Sequence, residues 1–322
     1  MEKVKLGQSD IDVSQLCLGT DSLGSKIDRE TSFQLMDLYW KKGGNFIDTA
    51  NFYACWVPGC QGGESETTIG AWMADRGNRD EMVIASKLAF DYPGCAGGLN
   101  AVEIERECEK SLKRLGTDHL DLYYAHRDDF DTPLEETMSA FDKLVRAGKV
   151  RVIGASNLKV WRIAEANGVS QANGWIPYTV VAQRHTYLRP RHGTRFGPQI
   201  CINDDLRHFA RERNVTLVAY SILLQGAYTR DDRAIPAQYG GPDAEARLAV
   251  LQQVSQEIGA TLNQTIIAWM LQGDPPILPI IAGSRPDQLQ ETTEALNIHL
   301  SEQHWTRLDT AGNPEVKHSW LR

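Results

Sequence analysis

The feature that most constrains this chain is an alternation. Short apolar, β-rich runs recur eight times, at residues 17–20, 45–49, 82–87, 120–126, 150–155, 180–183, 216–221 and 277–282. Between them lie amphipathic stretches at 30–42, 64–74, 102–115, 133–147, 158–166, 204–213 and 244–258. Two more helical segments, 262–271 and 286–296, flank the last run. Strands alternating with helices of this length make parallel βαβ units. Eight such units in 322 residues, with no compositional break, predict an α/β fold: one (β/α)8 TIM barrel over residues 1–322 rather than two domains. Segments 4–7 and 11–13 read as a small N-terminal β-hairpin that caps the barrel's bottom. Local punctuation agrees. Thr132-Pro133-Leu134-Glu135 offers a capping threonine, a proline at the first helical position and a glutamate after it. Gly148 and the pair Gly43-Gly44 supply left-handed helix ends.

Several classes of function are excluded. The formal charge is 34 − 42 = −8, whereas a nucleic-acid surface needs clustered Lys and Arg; the basic run 184–195 reads as a solvated loop. No apolar stretch is long enough to cross a bilayer, and residues 1–6 carry no apolar signal core. The six cysteines include no Cys-x-x-Cys pair and read as free thiols in a reducing cytoplasm. Neither Gly-x-Gly-x-x-Gly nor a phosphate-loop motif occurs, which removes the main support for Rossmann and nucleotide-triphosphatase folds. No His-x-His or carboxylate–histidine cluster suggests a metal.

The chemically capable residues fall at one end of the predicted barrel. Asp48, Lys87 and His126 close strands two, three and four. Ser156-Asn157 follow strand five, Gln183 ends strand six, Tyr220-Ser221 end strand seven, and Gly283-Ser284-Arg285 follow strand eight. The C-terminal ends of barrel strands are where such folds build their sites.

Asp48-x-x-x-x-Tyr53, Lys87 and His126 resemble the catalytic tetrad of the aldo-keto reductases. The resemblance continues through Thr132–Thr137, Gly148-Lys149-Val150, Ile153–Asn157, Ala219-Tyr220-Ser221 and Gly283–Leu289. It implies an NAD(P)H-dependent oxidoreductase that reduces an aldehyde or ketone to the alcohol. By that likeness Ser156, Asn157 and Gln183 hold the nicotinamide carboxamide and Tyr220 stacks on the ring. The backbone from Ser221 to Leu224, Leu223 included, approaches the pyrophosphate. Gly283, Ser284, Arg285, Gln288 and Glu291 surround the adenosine end. Arg285 suits a 2′-phosphate and favours NADPH, with NADH the alternative; where many relatives have lysine, arginine and asparagine, this chain has Ala282, Gln288 and Thr292.

The reaction asks for these residue types independently. Free tyrosine, with pKa about 10, is a poor acid. The Lys87 ammonium is expected to lower that value, with Asp48 holding Lys87. His126 would orient the substrate oxygen, and the hydride must come from a cofactor. A small-molecule carbonyl is the expected partner. Two similarly worded loops, Pro58–Gly63 and Pro93–Gly98, leave neighbouring strands and suggest a lid, with Trp56 and Tyr92 lining the pocket. Arg127, Asp128 and Asp129 offer either hydrogen bonds to a polyhydroxylated substrate or loop solvation; with Trp56 they make a sugar or sugar-like carbonyl the expected substrate class. The rival readings are a non-catalytic NADP(H)-binding regulatory subunit and a glycosidase pairing Asp48 with Asp128 or Asp129.

Overall fold

The computed structural model describes residues 1–313. Its frame is a closed parallel barrel in which the eight predicted strands all pair. In chain order they are β3 (Cys17–Gly19), β4 (Phe46–Asp48), β5 (Val83–Leu88), β6 (Leu120–Ala125), β7 (Val150–Ser156), β8 (Val180–Arg184), β9 (Thr216–Tyr220) and β10 (Ile277–Ile281), with β10 closing onto β3. The antiparallel hairpin β1 (Lys3–Lys5) and β2 (Asp12–Ser14) precedes them.

Strand residues alternate between two hydrophobic regions. Phe46, Val83, Ala85, Leu122, Tyr124, Val152, Val180, Val218 and Leu278 pack with the hairpin residues Leu6, Ile11 and Val13. The hairpin therefore caps the apolar interior, as its sequence suggested. The opposite strand faces meet the helices, where Ile47, Ile84, Tyr123 and Ile153 pack with Trp72, Ile104, Phe141 and Ile163.

The helices are α1 (Arg29–Lys41), α2 (Glu64–Arg76), α3 (Ala101–Leu115), α4 (Leu134–Arg146), α5 (Val160–Asn173), α6 (Asp204–Arg213), α7 (Pro242–Ile258), α8 (Leu262–Leu271), α9 (Pro286–Glu294) and α10 (Glu302–Thr310). None of the described helices is long and apolar enough to cross a membrane.

Two local expectations need correction. Thr132 does not cap α4: its hydroxyl donates to Asp129 (2.7 Å) and Pro133 stands at the cap position with no side-chain bond. Helix α5 runs to Asn173 rather than 166: it continues through Gly168 and ends at a left-handed Gly174, the C-cap that needs no side chain.

Candidate active site

The ends of β4, β5 and β6 bring three of the four tetrad residues to one rim, and the turn after β4 adds Tyr53. Lys87 is buried, and its Nζ has three acceptors. It donates to the Asp48 carboxylate, to the Thr49 carbonyl (2.7 Å) and to the Tyr53 hydroxyl (2.9 Å). One ammonium thus spends its three protons on three fixed partners. The turn that carries Tyr53 is tied down by backbone bonds from Asn51 N–H to Lys87 C=O (3.1 Å) and from Tyr53 N–H to Ala50 C=O (3.3 Å). His126 is anchored by its own N–H on Leu88 (2.8 Å) and by the Asn157 amide on its carbonyl (2.9 Å).

Electrostatics corrects one expectation. Burial of the Tyr53 hydroxyl, reinforced by the Asp48 and Asp21 charges, pushes its pKa well above the usual phenol value. The Lys87 contact favours the phenolate, but desolvation outweighs it, so the phenol stays protonated. Burial likewise raises the Asp48 pKa, against the pull of Lys87. Burial, then the Lys87 and Arg127 charges, drives the His126 pKa far down, so the imidazole is neutral. Its Nδ1 and the second Asp48 oxygen are buried without a hydrogen-bond partner among the described residues.

Around the Tyr53 hydroxyl stands an aromatic wall that the sequence only half revealed. Phe52 stacks on Phe90 (centroids 4.8 Å) and meets His126 (5.2 Å) and Trp56 (5.5 Å) edge-on. Phe90 also meets His126 edge-on at 5.0 Å. Trp56 lies 6.0 Å from Tyr53 and keeps 47% of its surface exposed. Phe52 and Phe90 were not singled out from the sequence. The available signal was position: one precedes Tyr53, and the other follows Lys87 by three residues.

The other pocket expectations divide. Tyr92 turns inward, its hydroxyl donating to Glu107 (2.6 Å) and accepting from Arg114 (2.9 Å), so it pins its loop and contributes no free polar edge. Arg127 sits over Phe90 (4.9 Å) beside Asp91. Asp128 pairs with Arg162 (3.2 Å), and Asp129 accepts from Leu99 N–H and Thr132. The groups offered for a polyhydroxylated substrate are committed to partners on their own loop and on neighbouring elements. The glycosidase pairing also lacks support, since Asp48, Asp128 and Asp129 each face a different partner. Cys60 and Cys95 are free thiols, as are the other four cysteines.

The residues expected at the nicotinamide end gather beside the tetrad. Asn157, held at φ 62°, joins Ser156 (3.2 Å), His126 and the Tyr220 hydroxyl (2.5 Å), so the ends of β7 and β9 form one hydrogen-bonded patch next to the tetrad. The Gln183 amide bonds Leu158 C=O (2.5 Å), fixing the end of β8 to the same patch. Beyond Tyr220 the chain takes positive φ at Ser221, Leu224 and Gln225. Of the seven non-glycine residues with positive φ among the described residues, all but the helix-ending Asn214 lie in loops on this end of the barrel. Strained backbone of that kind concentrates at ligand sites. The Ser284 N–H and hydroxyl share the Gln288 side chain (2.9 and 3.2 Å), and Glu291 accepts from Thr261 (2.7 Å). Arg285 is exposed at the start of α9, bidentate on Asp287 (3.0 Å each), with the charge of Arg230, itself paired with Asp232, opposing its own. Arg230 is a second cation at this end that sequence reasoning passed over.

Comparisons with known proteins agree with the geometry. The aldo/keto reductase family profile matches residues 15–313. The chain is 32% identical to the norsolorinic acid reductase of Aspergillus flavus, covering 93% of this chain and 78% of that one. It is 30% identical to the aryl-alcohol dehydrogenase [NADP(+)] of Phanerodontia chrysosporium, over 90% and 80% respectively. It is 31% identical to an uncharacterized oxidoreductase of Bacillus subtilis, YrpG, over 94% and 93%. The chain belongs to the aldo/keto reductase family and is an oxidoreductase of that family.

Proposed function

We propose that this protein reduces an aromatic aldehyde or ketone to the alcohol with NADPH, Tyr53 giving the proton. The observation that carries the reading is the buried Lys87 ammonium, bonded at once to Asp48, Thr49 and the Tyr53 hydroxyl. A bound nicotinamide supplies the hydride, which no side chain can carry. Ser156, Asn157 and Gln183 are the residues that would hold its carboxamide, and Tyr220 would cover the ring. The chain's own part is the proton. Tyr53 passes its Oη proton to the carbonyl oxygen as negative charge develops there, and Lys87 stabilises the phenolate left behind. Neutral His126 helps hold the oxygen in line by a hydrogen bond.

Two observations support an aromatic substrate over a sugar. The wall beside Tyr53 is Phe52, Phe90 and Trp56, and flat rings offset-stack against such surfaces. The relatives above include one named for aryl alcohols. The NADP(+) in that relative's name, with Arg285 and Arg230 at the adenosine end, supports NADPH over NADH. The six free thiols support a reducing, cytoplasmic setting.

The test is NADPH oxidation with para-nitrobenzaldehyde, compared with an aldose, for the wild type and Tyr53→Phe. Removing a positioned acid should lower kcat by about 100- to 10,000-fold while NADPH binding, read by fluorescence quenching, stays intact. Tight NADPH binding with no turnover by the wild type on any carbonyl would favour a regulatory subunit. Full activity in Tyr53→Phe would sink the mechanism.

A further inference from the structure

Behind the catalytic turn, on the outside of the barrel, lies a charged network that the reaction does not touch. Its centre is Glu107 on α3, 1% exposed. One carboxylate oxygen accepts from Asn51 Nδ2 (2.8 Å) and the Tyr92 hydroxyl (2.6 Å). The other accepts from Lys110 Nζ (2.7 Å), with Arg106 Nε at 3.5 Å. Burial alone would raise the pKa of such a carboxyl, but the donors from Lys110, Tyr92 and Asn51 outweigh it and hold Glu107 below the usual range. It is a charged clamp with its acceptor positions filled.

The clamp closes on the segment that carries Tyr53. Asn51 is fully buried, two residues before Tyr53, and is held on three sides. Its side chain goes to Glu107, its N–H to the Lys87 carbonyl (3.1 Å), and its carbonyl accepts from Arg114 Nη1 (3.4 Å). The same Arg114 nitrogen pairs with buried Glu66 (2.7 Å), whose other oxygen accepts from Ser86 (2.5 Å), the residue before Lys87. Gly63 passes so close above Arg114 that a Cβ there would lie 2.5 Å from its Nε. The network therefore connects both chain segments whose side chains meet at the Tyr53–Lys87 hydrogen bond.

We propose that Glu107 is a positioning residue: acting through Asn51, it fixes where the Tyr53 hydroxyl stands relative to Lys87, and so governs turnover rather than cofactor binding. The physical basis is the steep dependence of proton transfer on placement, in which an error of about 1 Å costs on the order of 100-fold. Neither residue touches the reacting atoms. The proposal rests on Tyr53 being the acid, and its test is built to fail separately.

Glu107→Leu and Asn51→Ala are assayed with NADPH and para-nitrobenzaldehyde, with rates expressed per NADPH-binding site from fluorescence titration. Both should lose tenfold or more in kcat, keep KM and the NADPH Kd within threefold, and shift the alkaline limb of the kcat–pH profile. Glu107→Gln, which still accepts from Asn51 and Tyr92, should restore at least a third of the activity. The double variant should be no slower than the worse single one, because both cut one link. A merely structural role would reduce the number of binding sites and leave kcat per site unchanged. If Glu107→Leu does not fold, Asn51→Ala decides alone. Asn51→Ala within twofold of wild-type kcat per site, or an NADPH Kd weakened as much as kcat falls, overturns the proposal. Should Tyr53→Phe remain active, the acid assignment fails first; if it is inactive while these variants turn over normally, only the positioning claim fails.

Discussion

Two buried aspartates stand near opposite ends of the barrel, Asp48 at the end of β4 and Asp121 near the start of β6, each 2% exposed at the side chain. Asp121 is saturated. It accepts from Ile84 N–H (2.9 Å), Arg79 (3.0 Å) and Arg151 (2.9 Å), with His119 beside it at 3.6 Å. Asp48 has Lys87 on one oxygen and nothing on the other among the described residues. A saturated buried carboxylate is a staple between chain segments. One left with an orphan oxygen costs about 1–3 kcal/mol, a deficit that folds tolerate mainly where a ligand or a reaction requires it. The same burial thus leaves a saturated staple at the bottom and an under-satisfied carboxylate at the top.

The contrast breaks most visibly at the bottom. Asp121→Ala strands the buried Ile84 N–H and takes one carboxylate partner from both Arg79 and Arg151, and should cost about 3 kcal/mol in urea unfolding, while the folded fraction keeps the wild-type kcat. A loss below about 1 kcal/mol would remove Asp121's role as a staple. Asp48→Asn sharpens the other half. The amide still accepts from Lys87, so the stability loss should be smaller, about 1–2 kcal/mol. Turnover should nevertheless fall about 10- to 100-fold, as the positive charge on Lys87 loses its partner. If Asp48→Asn proved the more destabilising and the less inactivating of the two, the comparison would be reversed.

What could be read in advance follows the same division. Strand periodicity and strand ends are local, so all eight strands and the rim positions of Asp48, Lys87 and His126 were legible. Properties that depend on what surrounds a group were not. The sign of the Tyr53 pKa shift turns on burial, which no motif states. Tyr92 looked like a lid residue, yet Glu107 and Arg114, on a helix for which periodicity gave only an amphipathic stretch, draw its hydroxyl inward. Phe52 and Phe90 stack across two loops whose closeness only the closed barrel determines. Thr132 lost its capping role to Asp129, a competition between neighbours that the capping pattern does not rank.

The smallest predicted effect carries the comparison from carboxylates to histidines. His119 at the bottom is partnered, its Nδ1 lying 2.7 Å from Asp118. His185, just past β8, is stacked on Trp269 (5.6 Å, 23°) with Nε2 buried and unpartnered among the described residues. Burial, then the Arg207 and Arg247 charges, lowers its pKa to about 3. In the unfolded chain the imidazole returns to about 6.5. Below that pH the unfolded state binds a proton that the folded state refuses. The stability is therefore complete above pH 6.5 and drains away as pH falls toward 3, at about 1.4 kcal/mol per pH unit. Between pH 7 and pH 5 His185 should account for on the order of 1–2 kcal/mol of the protein's acid sensitivity. His185→Phe preserves a ring against Trp269 and removes the titration, so its urea midpoint should fall less than the wild type's over that interval. Identical falls in the two proteins would mean that His185 accepts its proton in the folded state, through a partner or water that satisfies Nε2.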